Sequence, residues 1–237
     1  MHRKRRWLIP ICVIAILAAA FFLYTANYYR AGPTALSALD SDEGVQVVST
    51  DYGWLFDGPS RDTALIFYPG AKVEETAYAP FLAQLAGEGM DVCLVKMPFR
   101  LAFFGINKAD GVMGEYGYSR WFVGGHSLGG AMAAEYAAGH ADALTGVILC
   151  AAYPTKPLKD PLMEISVYGS EDRVLNREKA AAGAAYAPSA FFELEIQGGN
   201  HAQFGDYGPQ KGDGEAVVSP RQQQIAAAEF ILNHIGE

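Results

Sequence analysis

The sequence has few cysteines, little charge and no basic excess, and each shortage closes off a class of protein. Three cysteines in 237 residues are too few for a disulfide-stapled scaffold, and no His and Cys residues stand at metal-ligand spacing. Cys12 lies inside an apolar run, while Cys93 and Cys150 fall in runs that read as core strands, where a free thiol acts as a small hydrophobe. Charged residues make up 19 % of the chain and sum to −8, with a pI near 5.1. A phosphate-binding surface is basic, so a nucleic-acid partner is not expected. Neither a Gly-Lys-Ser/Thr loop nor a Gly-x-Gly-x-x-Gly frame is present, and both phosphate cradles need one of these. No repeat or low-complexity tract is visible. Neither a metal nor a cofactor is expected.

Apolar residues, by contrast, reach 51 %, and part of the excess sits in residues 1–30, which read as a separate unit. His2 to Arg6 form a basic head. Trp7 to Tyr24 carry no charge and nearly match the roughly 20 apolar residues that cross a bilayer. Trp7, Tyr24, Tyr28 and Tyr29 flank this run as interfacial anchors. Basic residues stay cytoplasmic, so the rest of the chain is expected outside. A cleavable signal peptide is the competing reading, but it needs small residues before a cleavage site, and Ala18 to Ala20 run into Phe21 and Phe22. An uncleaved anchor is therefore expected. Lipid attachment at Cys12 lacks the small residues such processing needs, and Pro10 is tolerable near a helix start.

Residues 31–44, with Gly32-Pro33 and the acids Asp40, Asp42 and Glu43, read as a juxtamembrane linker. Residues 45–237 read as one globular domain. Two short strands are expected near 45–49 and 53–56. Apolar runs at 64–68, 92–95, 121–126, 146–150, 163–168 and 191–196 then alternate with helical patterns, notably 76–86, 131–139, 177–185 and 220–235. Such alternation predicts an α/β fold, a mostly parallel sheet with helices on both faces.

The most informative run is Gly124-Gly125-His126-Ser127-Leu128-Gly129-Gly130. It follows Trp121-Phe122-Val123 and precedes an alanine-rich stretch, which gives strand, tight turn and helix with a serine at the apex. Gly125-x-Ser127-x-Gly129 is the nucleophile-elbow frame. A serine hydroxyl is a weak nucleophile until a base takes its proton, and the turn lifts it to where a base can reach. A glycine-rich turn with an incidental serine is the plainer reading of the motif alone, in a chain with 26 glycines. Of five histidines, His2 lies in the basic head, His126 reads as bracing the elbow, and His140 and His234 fall at helix ends. His201 follows a late strand and the turn Gln197-Gly198-Gly199-Asn200, on the sheet edge where sites form, and is the expected base. The orienting acid is expected between serine and histidine. Asp172, just after the strand 163–168, fills that place, with Glu171 as its alternative. The oxyanion donors are expected to be the backbone N–H of Leu128 and of Ala71, the latter in the Pro69-Gly70-Ala71-Lys72 turn after an early strand, with Gly70 next.

These blocks resemble the α/β-hydrolase family, in particular the small bacterial group related to dienelactone hydrolases. The likeness rests on Tyr68 to Val73, Met97-Pro98-Phe99, Gly124 to Gly130, Tyr168 to Asp172 and Gly198 to Gly205. It implies a Ser127–Asp172–His201 triad. Dienelactone hydrolases proper use a cysteine where this chain has Ser127, a departure that puts their lactone substrates in question here. Residues 151–162, broken by Pro154, Pro157 and Pro161, leave no room for a helical lid. Leu101, Phe103, Phe104 and Ile106 either wall an acyl site or are plain core. The expected activity is a membrane-tethered serine hydrolase acting on a small-molecule acyl substrate: a carboxylic ester, or a thioester or amide. A catalytically silent binding module at the membrane surface and an acyltransferase using the same triad are the alternatives.

Overall fold

The computed structural model describes residues 2–41, 44–59 and 62–236, with backbone alone at 2–8. The basic head is thus described only as helical backbone, and Asp42 and Glu43 of the expected linker lie outside the described residues.

An eight-stranded sheet organises the domain, in the order β1-β2-β4-β3-β5-β6-β7-β8. β1 (Gln46–Thr50) and β2 (Gly53–Asp57) form a hairpin in which Thr50 pairs with Gly53. β2 then pairs antiparallel with β4 (Asp91–Val95). All remaining neighbours are parallel: β3 (Thr63–Tyr68), β5 (Arg120–His126), β6 (Gly146–Cys150), β7 (Met163–Gly169) and β8 (Ala190–Ile196). β3, β4 and β6 are buried along their whole length, which is why they read as continuous apolar runs rather than alternating ones.

Two apolar layers cover the faces. On one, Leu65, Phe67, Phe122, Ile148 and Ile165 meet helix α3 (Ala79–Gly87) and the C-terminal helix α7 (Pro220–His234). On the other, Ile66, Val123, Val147 and Leu149 meet α5 (Leu128–Gly139) and α4 (Lys108–Glu115). α7 starts with a complete capping box, Ser219 with Gln222, and Pro220 in its first turn, where the missing N–H is not needed. Asn176 caps α6 (Arg177–Gly183) through Lys179 N–H. The helix expected at 76–86 is a 3-10 turn, Glu75–Tyr78, followed by α3. Pro80 accounts for the break, because proline fits the first turn of an α-helix and not its interior.

Ahead of the sheet, α1 (His2–Ala26) contains an 18-residue stretch, Ile9–Ala26, with a mean hydropathy of 2.4 and 6 % of it buried. The chain then turns back onto the domain. Tyr29 N–H donates to Lys72 O and Glu74 N–H to Tyr29 O, both at 2.8 Å. Next comes α2 (Pro33–Ser37), whose Ala35 is fully buried. Residues 29–37 are therefore in contact with the domain along their length, more closely than the Gly-Pro and acidic composition of 31–44 suggests.

Candidate active site

Ser127 stands between β5 and α5 with φ 53° and ψ −121°. A non-glycine residue held there costs on the order of 1–3 kcal/mol and persists only where its surroundings dictate it. Here Ser127 N–H donates to Cys150 O at 2.9 Å and Ala131 N–H to Ser127 O at 3.0 Å. The flanking glycines are sterically required. A Cβ on Gly125 would stand 2.3 Å from Tyr68 O, and one on Gly129 only 2.0 Å from the same atom. The strand β3 passes so close to the turn that neither position admits a side chain.

His201 lies on the loop after β8 and is 1 % exposed. Its Nδ1 is 2.8 Å from Asp172 Oδ2. Asp172 sits after β7, and its Oδ1 accepts from Val174 and Leu175 N–H, both at 2.8 Å. Glu171, the alternative acid, is partly exposed and accepts from its neighbour Ser170 Oγ at 3.1 Å. Among the described residues, His201 Nε2 is buried and has no hydrogen-bond partner. The fold thus joins Asp172 to His201 and leaves the opposite ring nitrogen unpaired. Ser127 Oγ makes no hydrogen bond to it.

Three groups that sequence reasoning did not single out hold this arrangement. Asp213 accepts from His201 N–H at 3.2 Å and from Ala202 N–H at 2.9 Å. The fully buried Gln223 of α7 accepts from Asn200 N–H and donates to Asn200 O, at 2.9 and 2.8 Å. Tyr78 belongs to a relay that crosses the site. Gly70 N–H donates to Tyr78 Oη at 3.0 Å, Tyr78 Oη lies 2.9 Å from His126 Nδ1, and His126 Nε2 lies 3.0 Å from His201 O. A carbonyl only accepts, so His126 Nε2 carries the proton and Nδ1 accepts from the tyrosine hydroxyl. Burial, then the adjacent His201, pushes the His126 pKa well below its ordinary value, which keeps the ring neutral as this bonding requires. His126 braces the elbow, as its position suggested, and also ties it to the histidine loop.

The same relay separates the two oxyanion candidates on the β3 loop. Gly70 N–H is committed to Tyr78. Among the described residues, the N–H groups of Ala71 and Leu128 have no acceptor. Lys72, next in the loop, has φ 58° and donates its N–H to Arg100 O at 2.9 Å. Leu101 is buried and Ile106 half-buried, whereas Phe103 and Phe104 are exposed. The four residues therefore do not form one plain core. Two clefts of about 640 and 490 Å³ flank the histidine loop on its α7 side, and Ser127 lines neither. Among the described residues, no three His, Cys, Asp or Glu side chains converge as metal ligands.

Comparison with known proteins agrees with this architecture. The model of the alpha/beta hydrolase family matches residues 64–225, more than half of the chain. The chain belongs to the α/β-hydrolase family. Its fold is similar to that of Est1E from Butyrivibrio proteoclasticus, with a TM-score of 0.58, 15 % identity, and 82 % of this chain and 100 % of that one covered. A monoacylglycerol lipase from Paleococcus ferrophilus gives 0.59 and 16 %, covering 81 % and 100 %. Carboxylesterase CesB (YbfK) from Bacillus subtilis gives 0.57 and 10 %, covering 92 % and 97 %. No curated protein sequence matches. These comparisons establish the family and not the narrower dienelactone-hydrolase group.

Proposed function

We propose that the protein is a membrane-tethered serine hydrolase that cleaves carboxylic esters through Ser127, His201 and Asp172. The observation that carries this reading is the unpaired, buried His201 Nε2, opposite an Nδ1 bonded to Asp172, in a chain whose elbow holds Ser127 at a strained backbone angle. His201 Nε2 takes the Ser127 proton as Oγ attacks the ester carbonyl. The N–H groups of Leu128 and Ala71 receive the negative charge that develops on the carbonyl oxygen. His201 then passes the proton to the leaving alkoxide and an acyl-Ser127 remains. Water, deprotonated by the same imidazole, attacks that acyl group and restores the serine. Asp172 fixes the ring tautomer and stabilises the imidazolium. Thioesters and amides differ only in the leaving group.

The exposed apolar α1 supports the tether, and the basic residues before it support an extracytoplasmic catalytic domain. Esters named for relatives of this fold fit the same chemistry. In the test, full-length protein and its Ser127→Ala variant are compared on a short-chain aryl ester. Turnover by the parent and its loss in the variant, with an unchanged thermal transition, are expected. Equal turnover by the variant contradicts the assignment.

A further inference from the structure

The turns after β4 carry apolar rings that the core does not use. Phe99, Phe103 and Phe104 are 44 %, 48 % and 47 % exposed. They are contiguous: Phe99 and Phe104 stand 5.5 Å apart and Phe103 and Phe104 4.3 Å apart, between ring centroids. They also touch α1. Phe21 lies 5.1 Å from Phe99 and 5.9 Å from Phe104, and Phe22 lies 6.1 Å from Phe99. Phe21 is five residues inside the end of α1 at Ala26, or about 7 Å along the helix axis. Rings in contact with it share its depth, so a bilayer that holds α1 to its end also surrounds this loop.

Polar features around the same loop fit that placement. Lys72 Nζ sits 4.1 Å over the Tyr24 ring, and the Arg100 and Arg30 guanidinium carbons lie 3.5 and 4.9 Å from the Tyr28 ring centre. Tyrosines and cations at the end of a span match the headgroup layer, in a chain of net charge −8. The loop is also joined to the chemistry. Arg100 O accepts from Lys72 N–H, one residue past Ala71, and the 102–104 turn packs on α5, the elbow helix.

We propose that Phe99, Phe103 and Phe104 form a wedge that enters the bilayer beside α1, and that Ser127 takes acyl esters resident in that bilayer. This rests on the tethered-hydrolase reading. The wedge places the mouth of the site at the headgroup layer, where the ester linkages of lipids lie, with their acyl chains running alongside the rings. A dissolved ester gains nothing from it.

The test reconstitutes the full chain in phosphatidylcholine vesicles. A Phe103→Trp substitution, made with Trp7→Phe so that α1 carries no indole of its own, reports insertion through quenching by brominated phosphatidylcholine. Quenching at position 103 is expected, and its absence from protein that still floats with the vesicles overturns the wedge alone. Protein that does not float overturns the tether and the wedge together. Turnover is then read on a long-chain fluorogenic ester dissolved in the vesicles and on a water-soluble aryl ester. Phe99→Ser with Phe104→Ser is expected to lower the ratio of the two rates about tenfold, the size expected for losing large apolar side chains from an apolar phase. An unchanged ratio overturns the substrate class. Wild-type protein inert on both esters overturns the hydrolase reading itself.

Discussion

Two loops at the same edge of the sheet are built in opposite ways. Around His201, most polar groups are paired, through Asp172, Asp213, Gln223 and the Tyr78–His126 relay, and among the described residues His201 Nε2 and Gln203 Oε1 are left unpaired. The loop at 98–104 instead presents three phenylalanines outward and is held by backbone bonds and by stacking on α1. Polar pairing in a buried place fixes a ring to within a fraction of an ångström, as proton transfer demands. Exposed rings fix no geometry and gain only where water is absent. In the proposed reading the first loop carries the chemistry and the second meets the bilayer.

The largest effects are expected at the histidine side. Asp172→Asn removes the charge that faces His201 Nδ1, and kcat is expected to fall about 10⁴-fold with the fold intact by circular dichroism. Gly129→Ala drives a Cβ into Tyr68 O and is expected to destabilise the domain by about 3 kcal/mol, read by urea unfolding. If it melts like the parent, the tight approach of β3 to the elbow is not what holds the turn.

Glu164 sharpens the contrast, because it is a buried acid that belongs to neither loop. Its Oε2 has no partner among the described residues. Burial, then Glu193, pushes its pKa from 4.5 to about 7. The folded state therefore holds this proton more tightly than the unfolded state. Its favourable contribution is complete below pH 4.5 and is lost as pH rises to about 7, on the order of 3 kcal/mol in all. Glu164→Gln is expected to flatten unfolding free energy across that window. An unchanged slope shows that Glu164 ionises normally in the fold. The smallest effect is expected from Tyr78→Phe, which leaves Gly70 N–H and His126 Nδ1 unpaired. A kcat about tenfold lower with KM nearly unchanged identifies Tyr78 as a positioning residue, and a loss confined to stability identifies it as structural.

Much of this was legible in the sequence. The parallel strands are long apolar runs, so period and punctuation suffice to find them, and the Gly-x-Ser-x-Gly frame marks a close approach that only glycine permits. Asp172 and His201 could be chosen because chain order and strand ends restrict where they fall. The relay was not legible. His126 reaches residue 78 in one direction and residue 201 in the other, and no local pattern encodes two such distant contacts. Asp213 sits between two glycines in an irregular loop and looks like a solvated turn. Gln223 reads as a surface residue of a helix start, although it is fully buried. The packing of residues 29–37 was hidden for a related reason: its bonds are made mainly by backbone atoms, to which composition is blind.

The most direct measurement is the site and rate of modification by a fluorophosphonate, located by peptide mass spectrometry on the full-length protein. A single adduct on Ser127, with labelling lost in His201→Gln, is the predicted result. An adduct on another residue, or equally fast labelling without the imidazole, contradicts the account.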